Sequence, residues 1–339
     1  MRIVALVKSA EHVCCRYRIA AYRDALEQAG HRLEVRPWPS FWLSRLLLYR
    51  QLGHADVAIV QRKLLPAWRL RMIRRRVRWL IYDFDDAVYL RNSFHPRGHD
   101  SARRSRRFDE MLAHADVIVA GNDYLRKQAV EVAQTARVHV IPTCVDVRRY
   151  PLAAHNWGKG LVELAWIGSD HAMQSLERLA PVLDNLGKMC SGLQLKVICG
   201  RSLTLNQLPV RFVSWREASE AEELAGADIG ISWLPDDPWS RGKCGLKVLQ
   251  YMAAGLPVVA NPVGIQARLV RPGVTGFLAQ TPGEWQEALG RLAADPELRR
   301  RMGRAARQMV AAEYDVRIGA ARWLGLLDRL QGRVLPRAG

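Results

Sequence analysis

The sequence predicts an α/β protein built from two doubly wound, Rossmann-like domains. Three observations carry this. Short runs rich in Val and Ile alternate with amphipathic segments along the whole chain, the pattern of parallel strands buried on both faces. At 339 residues the chain is long for one hydrophobic core. A polar stretch over 142–160 carries Pro142, Pro151, Gly158 and Gly160 and divides two halves of similar architecture. The expected division is an N-terminal domain over 1–150, a C-terminal domain over 151–315, and a final helix and tail over 316–339 that packs back on the first domain.

In the first half, strands are expected at Ile3–Val7, Leu33–Arg36, Val57–Val60, Trp79–Asp83, Val117–Ala120 and Val138–Ile141. The segment Cys15–Ala29 is amphipathic and ends at Gly30, a C-cap position. Two further helices mix aromatic and basic residues. Trp38–Arg50 carries Trp38, Phe41 and Trp42 beside Arg45 and Arg50; Pro66–Arg78 has six Arg in its last ten positions, with Trp68 among them. Such helices either lie on an anionic membrane surface or cover the sheet with a charged outer face, and both readings stay open.

Two loops follow strands of this half. One is Lys8-Ser9-Ala10-Glu11-His12, with Arg16 and Arg18 behind it. The other is Asp83-Phe84-Asp85-Asp86, three carboxylates within four residues. In an open parallel sheet, ligands bind at the carboxyl ends of strands, so both loops belong on one edge. The acidic run resembles a dehalogenase-type phosphatase loop only superficially. It follows the fourth strand, and Ala87 stands where Thr or Val is expected.

In the second half, strands are expected at Val162–Ile167, Leu195–Cys199, Val210–Val213, Ile229–Leu234 and Val258–Ala260, with a short one after Gly273. Helices over Pro282–Ala293, Pro296–Glu313 and Val316–Leu330 complete the chain. The stretch Asp228–Pro262 is a strand, a turn with Pro235, Asp236, Asp237 and Pro238, a cation-bearing helix and a second strand, a βαβ unit. With a helix starting near Lys243, residues 243, 247 and 250 share one face. Two ammonium groups and an amide on that stripe, next to helix-end N–H groups, suit a diphosphate and its ribose; a solvated basic face is the bland alternative.

Composition narrows the class. Net charge is +18, and between Arg62 and Arg107 fourteen Lys/Arg face four Asp, so the excess is local. Such charge suits nucleic acid, anionic lipid or phosphorylated substrates, but no helix-turn-helix, zinc or RNP pattern supports the first. No run of about 18 uncharged apolar residues is present, so no spanning helix is expected. Ile3–Val7 reads as a first strand and not as part of a signal peptide. The six cysteines form no CxxC pair, which suits a reduced, cytoplasmic protein.

Several of these segments resemble one family. LQYMAAGLPVVANPVG at 249–264, PGVTGFLA at 272–279, DPELRRRMGRAARQMV at 295–310, AHADVIVAGNDYL at 113–125 and VIPTCVDVRRY at 140–150 are similar, in order, to the GT-B glycosyltransferases of the large retaining group called family 4 or group 1. The resemblance implies a GT-B fold, its two Rossmann-like domains facing across a cleft. It implies transfer of a sugar from a nucleotide diphosphate-sugar to a glycan or lipid-linked acceptor with retention, by a front-face route without a metal or other cofactor. The donor contacts it implies are Gly168, Ser169, Arg241, Lys243, Lys247 and Gln250. Lys247 stabilises the leaving diphosphate, and Asp85 and Asp86 meet sugar or acceptor as the remaining catalytic candidates. Arg16 and Arg18 stand open between an acidic or phosphate contact and ordinary surface cations. The chain departs from the family at three places: Gly242 and Gln250 replace two glutamates, and Gly168-Ser169 replaces a Gly-Arg pair. These departures motivate a second reading, a non-catalytic GT-B-like protein that binds a nucleotide or glycan. The expected location is the cytoplasm, peripheral on the inner face of the plasma membrane, with no nucleic-acid partner.

Overall fold

The structure is a computed structural model that describes residues 1–39, 48–50, 52–133, 137–155 and 161–332. Most of the helix expected over Trp38–Arg50 and the glycines of the 142–160 stretch lie outside the described residues. The chain forms two compact units. The first comprises Met1–Cys144, Arg241–Cys244 and Val316–Gly339; the second comprises Val145–Ser240 and Gly245–Asp315.

The first unit holds β1 (Arg2–Val7), β2 (Arg32–Pro37), β3 (Val57–Gln61), β4 (Trp79–Phe84), β5 (Val117–Ala120) and β6 (Val138–Val140). They form one parallel sheet in the order β2-β1-β3-β4-β5-β6. β1, β3, β4 and β5 are buried almost throughout, which explains why they read as continuous apolar runs. One core cluster joins Ile3, Ala5, Ile59, Ile81 and Val119 to Trp323, Leu326, Leu327 and Leu330. The last four belong to the C-terminal helix Val316–Gly332, so the end of the chain completes the core of its beginning. The amphipathic segment after β1 is interrupted. It runs as α1 (Val13–Arg18), a 3-10 turn (Ala20–Tyr22) and α2 (Arg23–Gln28). Ile19 leaves helical geometry at φ −125°, directly after Arg18, whose side chain is engaged deep in the unit. Beyond β3 come α3 (Ala67–Arg74), α4 (Ala102–His114) and α5 (Asp123–Ala133).

The second unit repeats the plan with β7 (Val162–Ile167), β8 (Leu193–Cys199), β9 (Val210–Ser214), β10 (Ile229–Ser232), β11 (Val258–Ala260) and β12 (Gly276–Leu278). Their order is β12-β11-β10-β7-β8-β9, again all parallel. The helices are α6 (Met173–Met189), α7 (Glu220–Ala225), α8 (Pro238–Arg241), α9 (Leu246–Ala253), α10 (Gln266–Leu269), α11 (Pro282–Ala294) and α12 (Pro296–Glu313); the C-terminal helix is α13. Strand β10 stops at Ser232, short of the expected Leu234, because the Asn261 side chain takes over the backbone of Leu234. Its Oδ1 accepts from Leu234 N at 2.9 Å and its Nδ2 donates to Leu234 O at 2.6 Å. Thr281 and Glu284 close a reciprocal capping box at the start of α11.

The helix expected from Lys243 starts later. Gly245 is the N-cap of α9, with φ +69° in the left-handed region, and a Cβ there would also press on Leu269 and Ile265. Lys243 therefore lies off the helix, and the stripe 243–247–250 does not form.

Candidate functional site

Both parallel sheets put loops at the carboxyl ends of their strands, where α/β proteins bind ligands. In the first unit, the ends of β1, β3 and β4 bring together His12, Cys14, Arg62, Asp85 and Asp86. Arg62 follows β3 directly, with a left-handed φ of +58°, rare for a side-chain-bearing residue. Its guanidinium lies 3.1 Å from Asp85 Oδ1 and 2.5 Å from Asp86 Oδ2, and it also donates to the Cys14 sulfur. Burial alone would raise the Asp85 pKa; the charges of Arg62 and Arg18 outweigh it and hold this carboxyl below its ordinary range. His12 caps α1 by accepting from Cys14 N at 3.3 Å. Burial first, and then Arg62 and Lys8, lower its pKa, which favours the neutral imidazole at pH 7. The site is thus a pair of adjacent carboxylates clamped by one arginine.

Arg18 and Asp83 form a separate, fully buried pair. Arg18 Nε and Nη2 donate to the two Asp83 oxygens, and Nη1 donates to Ile141 O at 3.0 Å and Thr143 Oγ1 at 3.4 Å. Arg18 is 1% exposed, so it is neither a surface cation nor placed to meet a phosphate. Arg16 is half-buried, with its guanidinium 5.2 Å from the centroid of the Tyr17 ring.

Arg241–Cys244 packs within the first unit. Asn122 Nδ2 donates to Gly242 O at 3.1 Å and Lys243 O at 3.0 Å, while its Oδ1 accepts from Leu125 N at 2.8 Å. Lys243 Nζ lies 4.0 Å from Asp86 Oδ1. Gly242 has no room for a side chain: a Cβ would sit 2.9 Å from Ala87 and 3.1 Å from Leu125. The acid that the family pattern places here is excluded sterically. Arg241 is exposed at the end of α8.

In the second unit, Gly168 and Ser169 follow β7, and Lys247 lies in the first turn of α9. Lys247 Nζ sits 4.4 Å from the centroid of the Trp166 ring, which is 1% exposed. The same ring runs under the loop, since a Cβ on Gly168 would approach it to 2.6 Å. One buried indole therefore supports both the glycine loop and the ammonium group, a cation–π contact of up to about 2 kcal/mol when desolvated. Gln250, expected on a ribose, is 4% exposed, and its Nε2 donates to Tyr150 Oη at 3.2 Å. The expected phosphate trio is divided: Lys247 belongs to the second unit, Arg241 and Lys243 to the first. Among the described residues no cluster of His, Cys, Asp and Glu is arranged to hold a metal.

Arg62 and Asn122 were not legible as site residues. The one signal for Arg62 is its place at a strand's carboxyl end; its left-handed backbone has no signature in an Arg codon. For Asn122, the position before the helix Asp123–Ala133 suggests a cap, but not the strap to 242 and 243.

Comparison with known proteins agrees with the resemblance. The profile of the family described as Glycosyl transferases group 1 matches residues 162–295, most of the second unit. D-inositol 3-phosphate glycosyltransferase from Nocardia farcinica is 28% identical over 267 residues, 67% of this chain and 57% of that protein. The chain thus spans little more than half the length of that relative. Among solved structures, sucrose-phosphate synthase from Thermosynechococcus elongatus superposes with a TM-score of 0.74 at 16% identity, covering 98% of this chain and 99% of the other. Anabaena Alr3699/HepE, solved with UDP and glucose, superposes with a TM-score of 0.70 at 18% identity, covering 97% of this chain and 100% of the other. The fold is therefore that of the GT-B class, two Rossmann-like parallel sheets, and the group 1 glycosyltransferase resemblance is supported by sequence over residues 162–295. No described helix is long and apolar enough to cross a membrane.

Proposed function

We propose that the protein is a glycosyltransferase that moves a sugar from a nucleotide diphosphate-sugar to a glycan or lipid-linked acceptor with retention of configuration. The observation that carries this reading is Lys247, held on the Trp166 ring beside Gly168-Ser169 at the strand ends of the unit that matches the group 1 family. As the glycosidic bond breaks, the leaving diphosphate gains negative charge. A preorganised ammonium stabilises that charge more than the ground state, and loss of one such group typically costs about 3–4 kcal/mol of barrier. Gly168 and Ser169 let the donor's phosphates approach the backbone. Asp85 and Asp86, clamped by Arg62, meet sugar or acceptor hydroxyls. The leaving phosphate itself helps deprotonate the acceptor, so the reaction runs without a metal. The protein works in the cytoplasm, peripheral on the inner face of the plasma membrane.

Calorimetry with a panel of nucleoside diphosphates tests the donor site. One member binds the wild type, and Lys247→Ala abolishes that binding while the fold stays intact, read by circular dichroism. Unchanged affinity in the variant removes the diphosphate from Lys247. Turnover of the matching nucleotide sugar is unaffected by a chelator, and NMR of the product reports the donor's anomeric configuration.

Gly242 and Gln250 favour a second reading. The first leaves no space for an acid and the second is turned into Tyr150, so the donor ribose and sugar lose two family contacts. A non-catalytic nucleotide- or glycan-binding protein shows tight binding with no donor hydrolysis and no transfer for any sugar in the panel.

A further inference from the structure

Outside the carboxylate site, the first unit carries a concentration of arginines that the proposed sugar transfer does not use. Segment 66–78 contains six Arg and no acid, and α4 adds Arg103, Arg104, Arg106 and Arg107 against Asp109 and Glu110. The two elements are neighbours: α3 packs on α4, and Glu110 Oε2 accepts from Ala67 N at 3.1 Å, fixing the start of α3 against the last turns of α4. The inward faces are conventional, with Leu70 and Ile73 of α3 and Phe108, Met111 and Leu112 of α4 buried. The outward faces are arginine.

Three details make this more than a solvated basic face. Among the described residues, neutralisation of Arg69, Arg103, Arg106 and Arg107 from within is sparse. Glu110 serves Ala67 N and a 4.0 Å pair with Arg106, and Arg74 pairs with Asp116 at 3.0 Å. Arg103 and Arg107 are spaced i,i+4 on one helix, where like charges repel. Burial, and then Arg103, lower the Arg107 pKa, with Arg106 and Arg69 pushing the same way and Glu110 opposing, so Arg69 of α3 contributes to the same field. Second, Arg69 Nε is buried without a hydrogen-bond partner. Third, Trp68 is 51% exposed at the edge of this surface, and the Arg69 guanidinium lies 4.9 Å from its ring centroid. An exposed indole carrying a guanidinium is suited to a boundary with an apolar phase on one side and phosphate on the other.

We infer that Trp68, Arg69, Arg103 and Arg107 form a docking site for the phosphate headgroups of an anionic bilayer, with Trp68 entering the headgroup layer. The occupant is a lipid surface and not a soluble phosphate because the cations are spread over two helices and because the exposed indole has no role in binding a small hydrophilic anion. The inference rests on the peripheral-membrane clause of the proposed function and places it on two helices; it is independent of the donor site.

The test is co-sedimentation of the full chain with vesicles at fixed ionic strength, read beside nucleotide calorimetry on the same samples. Phosphatidylglycerol-containing vesicles sediment the wild type and pure phosphatidylcholine vesicles do not. Arg103→Ala/Arg107→Ala weakens partitioning about tenfold or more, since each arginine near an anionic surface contributes appreciably. Trp68→Ala weakens it several-fold and Trp68→Phe restores part of the loss. All three substitutions leave nucleoside diphosphate affinity unchanged, because the residues lie on exposed helix faces. Inorganic phosphate or pyrophosphate at the same ionic strength fails to release the protein. Equal and negligible sedimentation with both vesicles overturns the inference, as does a double variant that partitions like the wild type. Release by low pyrophosphate would reassign the site to soluble phosphates, and duplex DNA that outcompetes vesicles would reassign it to nucleic acid. If vesicles bind as stated while no nucleotide binds, the donor reading fails and the docking site stands.

Discussion

At the scale of single residues, Gly242 shows how a departure from a family pattern acquires a physical cause. Its missing side chain is space already filled by Ala87 and Leu125. Restoring an acid there does not restore a donor contact. Gly242→Glu lowers stability by about 1–3 kcal/mol through overpacking, read as a lower denaturant midpoint, and yields no gain in nucleotide affinity. Arg18 is a second case. Because it neutralises Asp83 in the interior, Arg18→Met strands a buried carboxylate and costs about 3–5 kcal/mol, while Arg18→Met/Asp83→Leu recovers most of that loss. A ligand-binding arginine would give the opposite pattern, weaker binding at unchanged stability. Cysteine chemistry follows burial as well. The Cys15 thiol is pushed up to about 11, and burial raises Cys14 well above its ordinary value despite Arg62. Alkylation of the native protein at pH 8 therefore spares both, and denaturant exposes them, as mass spectrometry can count.

At the scale of elements, most strands and the last three helices were legible, while the break after α1 and the start of α9 were not. A strand buried on both faces must be apolar at nearly every position, so β3, β4, β5 and β7 announce themselves in a few consecutive residues. These two helix termini depend on contacts that no local cap signals. The break after α1 adjoins Arg18, whose partner Asp83 lies 65 residues away, and no local pattern encodes that distance. The start of α9 depends on Gly245, which at the sequence level reads as one more residue of a basic helix. Its left-handed backbone and the nearby Leu269 and Ile265 leave no favourable alternative. Gly245→Ala costs about 1–2 kcal/mol, measured by thermal unfolding, and moves the first turn of α9 that carries Lys247. The lesson for the site is similar. Asp85, Asp86 and Lys247 were visible as residue types at strand ends and in a family motif. Arg62, which clamps the carboxylates, was not, because its role comes from the adjacency of β3 and β4 in the sheet.

At the scale of the whole molecule, charge and burial combine in the response to pH. The net charge of +18 means that acidification adds repulsion to an already cationic chain. Asp85 and Asp228 titrate below the ordinary 3.8 in the folded protein. For Asp228, burial opposes this shift, and His155, Glu163 N and Arg299 produce it. A carboxyl with a depressed folded pKa contributes its stability in full above its unfolded value and loses it as pH falls through the folded one. Stability therefore drops below about pH 4, and Asp228→Asn flattens that acid limb in urea titrations while lowering stability at pH 7. The division into units was legible as two runs of alternating strands and helices. The assignment of Arg241–Cys244 to the first unit was not, because it rests on Asn122 and on the close fit of Gly242, contacts made more than a hundred residues apart.

The C-terminal helix that finishes the core of the first sheet also sets an order of events during synthesis. β1 is synthesised long before Trp323, Leu326 and Leu330, so the core cluster they share stays incomplete for most of translation. The intervening second unit, Val145–Asp315 without its four-residue excursion, is synthesised before that helix is made. A chain truncated after Asp315 thus presents a folded second sheet and a chaperone-binding first one, and restoring Val316–Gly332 ends that binding.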